Sequence, residues 1–548
     1  MHRAIWLIKI SVFHLLLIPL ALGCVPWRRN PPLVPPTATR LVLALDGVDY
    51  RDIVDARTRG LFADFREPSR LISTFPSISD VAWHDIMGVQ PPPGYQRIYY
   101  SVRQNDVVGE LLDAIRPIEY ERRMDFAFGT KFHHLAAYLM SNQVARKEVD
   151  VDVKEFLRRG GRPTIYAYNV GPDALQHTRG DLDKYLSHLD AKLAELQRTY
   201  RARTGRDVEI LIISDHGHNR AISADFLPVV EALESQGFRT VRSLTSAADV
   251  AFSVDGVTTG FGVFAHPDSV QRLASILVAL DGVATVTTRD TTGRYLVRSD
   301  SALAEITTRG SGDSATYRYH ALRGDPLRYT DVLSRMAHDR AVSPDGFASA
   351  ATWLRYTAGE LFPAAPPRIV RGHTEITRNP APILVSLDDK MRVGLGAVSV
   401  ANRMRPLGGT HGALSATNSL GVLMSNFADT RDDLTQSVRR QFGGFDDLHD
   451  PATNESSLRL ATPAMCERIA GAASAARRHL RRWRHSPTAS RSLCCHSPTR
   501  IGDGLAPPLV YWWRFAKKTA GRTVAQSCPT VTGHCRSGRP RPMGGRLP

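Results

Sequence analysis

The stretch VEILIISDHG, Val208–Gly217, decides how the chain is read. Apart from Glu209, the residues up to Ile213 are apolar, a run too short for a buried helix and suited to a strand covered on both faces. We therefore expect a central parallel strand. Ser214, Asp215, His216 and Gly217 follow at once, so a carboxylate and an imidazole leave the strand together at its carboxyl edge, where open α/β sheets place their ligands. Asp-His-Gly after a strand is also common turn chemistry, with Asp bonding the backbone and Gly taking positive φ. Three further stretches of the same design raise it to a candidate metal site.

Working outward, strand candidates at Leu41–Leu45, Leu71–Thr74, Thr164–Tyr168 and Gly421–Met424 alternate with helical patterns such as Asp181–Arg201 and Ala224–Gln236. Such alternation marks an α/β fold with a mostly parallel central sheet flanked by helices. Between residues 250 and 330 the pattern changes to short alternating runs (Gly260–Ala265, Gly293–Arg298, Ala315–His320) broken by Arg309-Gly310-Ser311-Gly312-Asp313. This segment reads as an inserted α+β cap lobe beside the sheet edge. The catalytic body runs over residues 40–450, long enough to bury a large core.

Both ends are different in kind. Residues 1–24 carry His2, Arg3 and Lys9 around the apolar run Ile10–Leu22 and end in Ala21-Leu22-Gly23-Cys24, which reads as an export signal with a lipoprotein cleavage box. The mature chain would then sit in a bacterial periplasm or at the cell surface, held to the membrane by a lipid on Cys24. Residues 25–39 contain Pro26, Pro31, Pro32, Pro35 and Pro36, a semi-rigid stalk. From Pro451 to Pro548 there are 17 Lys and Arg against 3 Asp and Glu, so nearly all of the formal charge of +16 lies in this tail. The tail also holds Cys466, Cys494, Cys495, Cys528 and Cys535, whereas the body has no cysteine and needs no disulfide framework. With no helical or strand periodicity, the tail reads as disordered or as a frame-shifted terminus, and a basic arm for nucleic acid or anionic lipid is the competing idea. No nucleic-acid partner is expected for the body.

The chemistry lies at the strand ends. Leu41–Leu45 runs into Asp46-Gly47, a carboxylate placed like Asp215. Leu71–Thr74 leads into Thr74-Phe75-Pro76-Ser77-Ile78-Ser79-Asp80, ahead of a helical pattern over residues 81–87. Ser77 and Asp80 have capping-box spacing, so Ser77 is read as structural. Thr74 stands before a helix N-terminus that would welcome a phosphate oxygen, and its hydroxyl is a candidate nucleophile. Thr164–Tyr168 leads to Asp173 and His177, which share one face if the segment turns helically. Gly408-Gly409-Thr410-His411-Gly412 supplies a further histidine. His218 is read as solvent-facing, and His84, His133 and His134 as surface or core polar residues. Mixed carboxylate and imidazole donors suit zinc, and two such sets suit a two-metal clamp on a phosphoryl group.

Taken in order, Asp46-Gly47, Thr74-Phe75-Pro76, Pro172-Asp173-x-x-x-His177-x-x-Gly180, Ser214-Asp215-His216-Gly217 and Thr410-His411-Gly412 resemble the alkaline phosphatase superfamily, most closely its nucleotide pyrophosphatase/phosphodiesterase branch. The resemblance spans residues 40–424 and leaves out the cap and the tail. It implies an alkaline phosphatase-like domain with two Zn2+ ions: Asp173, His177 and His411 on one, and Asp46, Asp215, His216 and the Thr74 oxygen on the other. It also implies attack by Thr74 on phosphorus in a small-molecule phosphate ester. The chain departs from the family's pattern at Ser77, where Asn is usual, and at Gln176, where Gly is usual, which puts the nucleotide preference in doubt. Two alternatives stay open: a phosphomonoesterase or phosphoryl transferase on the same fold, and a non-catalytic surface lipoprotein on a hydrolase scaffold.

Overall fold

A computed structural model of the chain describes residues 38–109, 118–124, 137–158, 163–220, 226–254, 256–394 and 408–438. The expected export signal, the stalk as far as residue 37, His133, His134 and the tail lie outside them. The apolar runs form the strands β1 (Arg40–Leu45), β2 (Ser69–Ile72), β3 (Thr164–Asn169), β4 (Glu209–Ser214), β5 (Leu420–Ser425) and β6 (Asp433–Leu434) of one sheet, in the order β6-β2-β5-β4-β1-β3. Helices α1 (Tyr50–Thr58), α2 (Ser79–Met87), α3 (Ser141–Arg158), α4 (Gly171–His177) and α5 (Leu182–Thr204) connect and cover these strands.

Side chains alternate across a strand, and here both faces are apolar. Leu41, Leu43 and Leu45 of β1, Ile165 and Ala167 of β3, and Ile210 and Ile212 of β4 form one core with residues of α1, α3 and α5. Their neighbours Val42, Ala44, Tyr166, Tyr168, Leu211 and Ile213 form a second core with Trp83 and Ile86 of α2. That two-sided burial explains the near-continuous hydrophobic runs.

The sheet is mostly parallel, as expected, and becomes mixed through one reversed strand of the six. β1 pairs in parallel with β3 and β4, and β6 with β2, but β5 is antiparallel to both β2 and β4. The reason is where the chain enters. Residues 408–419 cross the carboxyl edge of the parallel strands before β5 begins, so β5 can only run back from that edge.

A second, largely antiparallel sheet of nine strands is built from Arg239–Thr240 through Ile383–Leu387. Its span is wider than residues 250–330. Ile383–Leu387, which lies beyond that span in sequence, sits inside the sheet between Gly260–Ala265 and Val283–Arg289. Among the described residues no helix is long and apolar enough to cross a membrane.

His373 is buried beside this second sheet, with Nδ1 2.9 Å from the carbonyl of Ala381 and Nε2 2.9 Å from Thr287 Oγ1. These partners suit a neutral ring that donates from Nδ1 and accepts at Nε2. Burial pushes its pKa down to about 4. The unfolded chain takes up this proton near pH 6.5 and the folded chain only near pH 4, so stability is lost as pH falls through that window. We expect wild type to lose about 2 kcal/mol more than His373→Gln between pH 7 and pH 5 in urea unfolding. Parallel losses in the two proteins would remove the neutral buried ring from the account.

Candidate active site

Register brings the first carboxylates together. Leu45 of β1 pairs with both Asn169 of β3 and Ser214 of β4, so Asp46 and Asp215 leave adjacent strands at the same level. Gly47 takes φ +67°, and its N–H donates to Asp215 Oδ1 at 3.1 Å. A Cβ at Gly47 would stand 3.1 Å from Asp173 Oδ1, so close approach as well as positive φ calls for glycine here. One residue after β3 the chain enters α4, and Asp173 and His177, one turn apart, present Oδ1 and Nε2 at 3.3 Å. His411 arrives on the segment that feeds β5, with Nε2 3.6 Å from Asp173 Oδ1.

Asp46, Asp173, His177, Asp215, His216 and His411 are therefore gathered at one edge of the sheet, and His218 with them. The donor atoms of Asp46, Asp215 and His216 lie within 4.8 Å of one another. Those of Asp173, His177 and His218 form a second such set, and those of Asp173, His216 and His411 a third. The His216 and His411 rings stack, with centroids 3.8 Å apart. His218, expected to face solvent, is instead buried, with Nε2 3.5 Å from Asp173 Oδ1. The physical reason is a two-bond backbone bridge between Asn219 and Thr410 (N–H to O 2.9 Å in both directions), which holds the loop against the segment carrying His411.

Three of the rings are oriented from behind. Nδ1 of His177, His216 and His411 lies 2.8, 2.9 and 2.8 Å from the carbonyls of Gly409, Gly217 and Ser77. A ring that donates from Nδ1 keeps a lone pair on Nε2 facing the carboxylates, the usual support of a metal-binding imidazole. Tyr168 donates to Asp46 Oδ2, and Tyr138 donates to Asp173 Oδ2 at 3.0 Å.

The electrostatics of the cluster ask for a cation. Among the described residues, the ion-pair partners of Asp46, Asp173 and Asp215 are all histidines. Burial, then the neighbouring carboxylates Asp215 and Asp173, push the Asp46 pKa well above its usual range. Burial does the same to Asp215. Asp173 is held low: burial works upward, but the imidazoles of His177, His218 and His411 overcome it. Burial pushes His216 and His411 down and His218 down to about 3, so these rings are neutral, as metal ligands must be. Asp173 Oδ1, Asp215 Oδ2 and both nitrogens of His218 are buried with no hydrogen-bond partner among the described residues. Buried oxygen and nitrogen donors left unpaired in this way fit a divalent ion, and the carboxylate–imidazole mixture suits zinc.

Thr74 is buried on the turn after β2, and its Oγ1 donates to the carbonyl of Pro76 at 2.9 Å rather than to a cluster atom. The turn itself is tied to the cluster twice, through the Ser77 carbonyl on His411 and through Ser79 Oγ, 3.1 Å from Asp46 Oδ1 and 3.0 Å from His216 Nε2. Ser77 does not cap α2. The helix starts at Ser79 with Ile78 before it, and Ser77 Oγ lies 3.0 Å from the carbonyls of Thr74 and Ala413. Beneath the turn the buried Arg368 donates to the Thr74 carbonyl at 3.0 Å and to Ser77 Oγ at 3.1 Å. Gln176 reaches across to donate to the carbonyl of Gly47 at 2.6 Å. Tyr168 and Arg368 carry no motif and were missed in the sequence; the His-x-His spacing at residues 216–218 was the one legible hint for His218.

No protein-family model matches the chain. The chain is similar to solved phosphoesterase and phosphonate hydrolase structures. They include human ectonucleotide pyrophosphatase/phosphodiesterase 5 (10% identity, TM-score 0.39, covering 75% of this chain and 95% of that one). The murine protein, inactive and in complex with AMP, matches at 10% identity and TM-score 0.41, covering 75% and 96%. Phosphonoacetate hydrolase from Sinorhizobium meliloti 1021, in complex with phosphonoacetate, matches at 14% identity and TM-score 0.37, covering 75% and 93%. With TM-scores below 0.5, these likenesses add no weight to what the side chains show. Elongation factor 4 of Desulforudis audaxviator (strain MP104C) is 25% identical over 227 residues, covering 38% of this chain and 35% of that protein. This chain thus spans about a third of the length of that curated relative, too little to bear on the site.

The unpartnered donors make a direct prediction. Zinc should raise the melting temperature of wild type by an amount that grows with concentration, the stabilisation reaching about 2.7 kcal/mol at a hundredfold excess over Kd. Asp215→Asn keeps an oxygen for the Gly47 N–H but removes a buried charge, so without metal it should be at least as stable as wild type, and zinc should raise its melting temperature much less. Thermal unfolding with and without chelator checks both.

Proposed function

We propose that the chain is a phosphoric-ester hydrolase of the alkaline phosphatase superfamily, of phosphodiesterase/nucleotide pyrophosphatase type, using two divalent ions, zinc by donor preference, and Thr74 as nucleophile. The observation that carries this reading is the convergence of three buried carboxylates and four imidazoles, with unpaired donor atoms, beside the Thr74 turn. Asp46, Asp215 and His216 would hold one ion, and Asp173 and His177, with His411, the other. Ions bound there would neutralise phosphoryl charge and activate a hydroxyl or a water.

The chain's own residues do the rest. Carbonyl bonds to three Nδ1 atoms aim the imidazoles. Arg368 holds the Thr74 carbonyl, and attack requires the Thr74 hydroxyl to give up its bond to Pro76. The N-terminus of α2 follows the turn, where helix N–H groups favour an anionic substrate. The segment leading into the second sheet reaches the site through Thr258 and Thr259, which both bond the His411 carbonyl at 2.9 Å; we read that sheet as the cap that selects a small phosphate-ester substrate. Export and a lipid anchor at Cys24 belong to the same reading.

Ser79 gives a second reading of the nucleophile, because its hydroxyl is the one that touches Asp46 and His216. Two variants separate them. We expect Thr74→Ala to lower kcat at least about 1,000-fold on bis-nitrophenyl phosphate with unchanged metal content, and Ser79→Ala to lower it far less. The opposite ranking would move the nucleophile to Ser79. Faster hydrolysis of the nitrophenyl monoester than of the diester would favour a phosphomonoesterase, and no hydrolysis of either by the metal-loaded protein would leave only a binding role.

A further inference from the structure

His218 is the part of the cluster that neither the motif pattern nor the proposed ligand sets use. It is buried at 2% exposure, and both of its nitrogens lack a hydrogen-bond partner among the described residues. The other three imidazoles each have Nδ1 on a carbonyl. A neutral ring in a dry site normally satisfies at least its N–H, since a buried polar group left unpaired is costly. The position is also built. The Asn219–Thr410 bridge fixes the backbone on either side of the ring, and a Cβ at Gly409 would stand 2.6 Å from His218 Nδ1 and Cε1. Glycine at 409 is what leaves room for the ring.

Distances say what the ring faces. Two donors bound tetrahedrally at zinc distances are about 3.3–3.4 Å apart. His177 Nε2 and His218 Nε2 lie 3.3 and 3.5 Å from the same unpartnered oxygen, Asp173 Oδ1. The rings of His177 and His218 meet edge to face, with centroids 4.6 Å apart, whereas those of His177 and His411 are 5.4 Å apart. His411 Nε2 lies 3.6 Å from Asp173 Oδ1 and also groups with His216.

We propose that His218 is a further ligand of the divalent ion that Asp173, His177 and His411 would hold. The inference rests on the two-ion reading above and adds to it a donor that the motif pattern lacks.

The test is metal binding on the full chain, with zinc and with cobalt as a spectroscopic substitute. Wild type should bind two ions. His218→Ala should keep the Asp46–Asp215–His216 ion and bind the other at least about tenfold more weakly, with a changed cobalt d–d spectrum. His411→Ala should weaken binding of the same ion. Gly409→Ala, which removes no donor, should reproduce the spectral change by displacing the ring. If His218→Ala fails to fold, His218→Asn serves in its place. Two ions bound by the folded His218 variant with wild-type affinity and an unchanged cobalt spectrum would overturn the assignment and leave the hydrolase reading standing. A wild-type chain that binds no divalent ion would sink both.

Discussion

Three carboxylates buried together, with only imidazoles as ion-pair partners among the described residues, are the constraint on which the rest of this structure depends. Asp46, Asp173 and Asp215 are each no more than 3% exposed, and their ion-pair partners among the described residues are imidazoles. Taking carboxylates out of water costs several kcal/mol each unless an opposite charge or strong hydrogen bonds replace the solvent. Backbone N–H and tyrosine hydroxyl bonds meet part of that cost. A divalent ion would meet the remainder, which is why the cluster reads as a candidate metal centre and not as a polar core.

The fold serves this arrangement in two ways. Parallel pairing of β1, β3 and β4 in one register delivers carboxylates from neighbouring strand ends at a common level, and two-sided hydrophobic burial of those strands makes that register hard to slip. The antiparallel β5 does the opposite job. Because it starts at the same edge, the segment before it is forced across the site, carrying His411 and pinning the 216–219 loop by the Asn219–Thr410 bridge. Arg368 locks the remaining side by gripping the Thr74–Ser77 turn from below. Its guanidinium is buried with backbone and hydroxyl acceptors, and burial lowers its pKa to about 9.

Much of this was legible in the residues. Short apolar runs ending in Asp-Gly, Asp-His-Gly and a Pro-Asp helix announce strands that stop at a ligand edge, because covering both faces of a strand needs continuous hydrophobicity and the polar residues must then fall at its end. Those runs located β1, β3, β4 and β5 to within a residue or so of their observed bounds. Ser77 shows where such reading fails: capping-box spacing is a local signal, but carbonyls from Thr74 and the distant Ala413 claim its hydroxyl. Strand direction was equally invisible, since a run such as Leu420–Ser425 has the same composition whichever way it is threaded.

What the sequence determined by itself was the strand-and-helix alternation and the identity of the donors at the strand ends, because both follow from local periodicity and from residue chemistry. Only the tertiary structure decided which donors share a site, that β5 runs backward, and that His218 is buried against Asp173 while Arg368 and Tyr168 stand behind the turn and the carboxylate. Those are contacts between distant segments, Arg368 and Thr74 for example being 294 residues apart. They depend on where backbone bridges and packing place a loop, and a loop's own residues do not encode that.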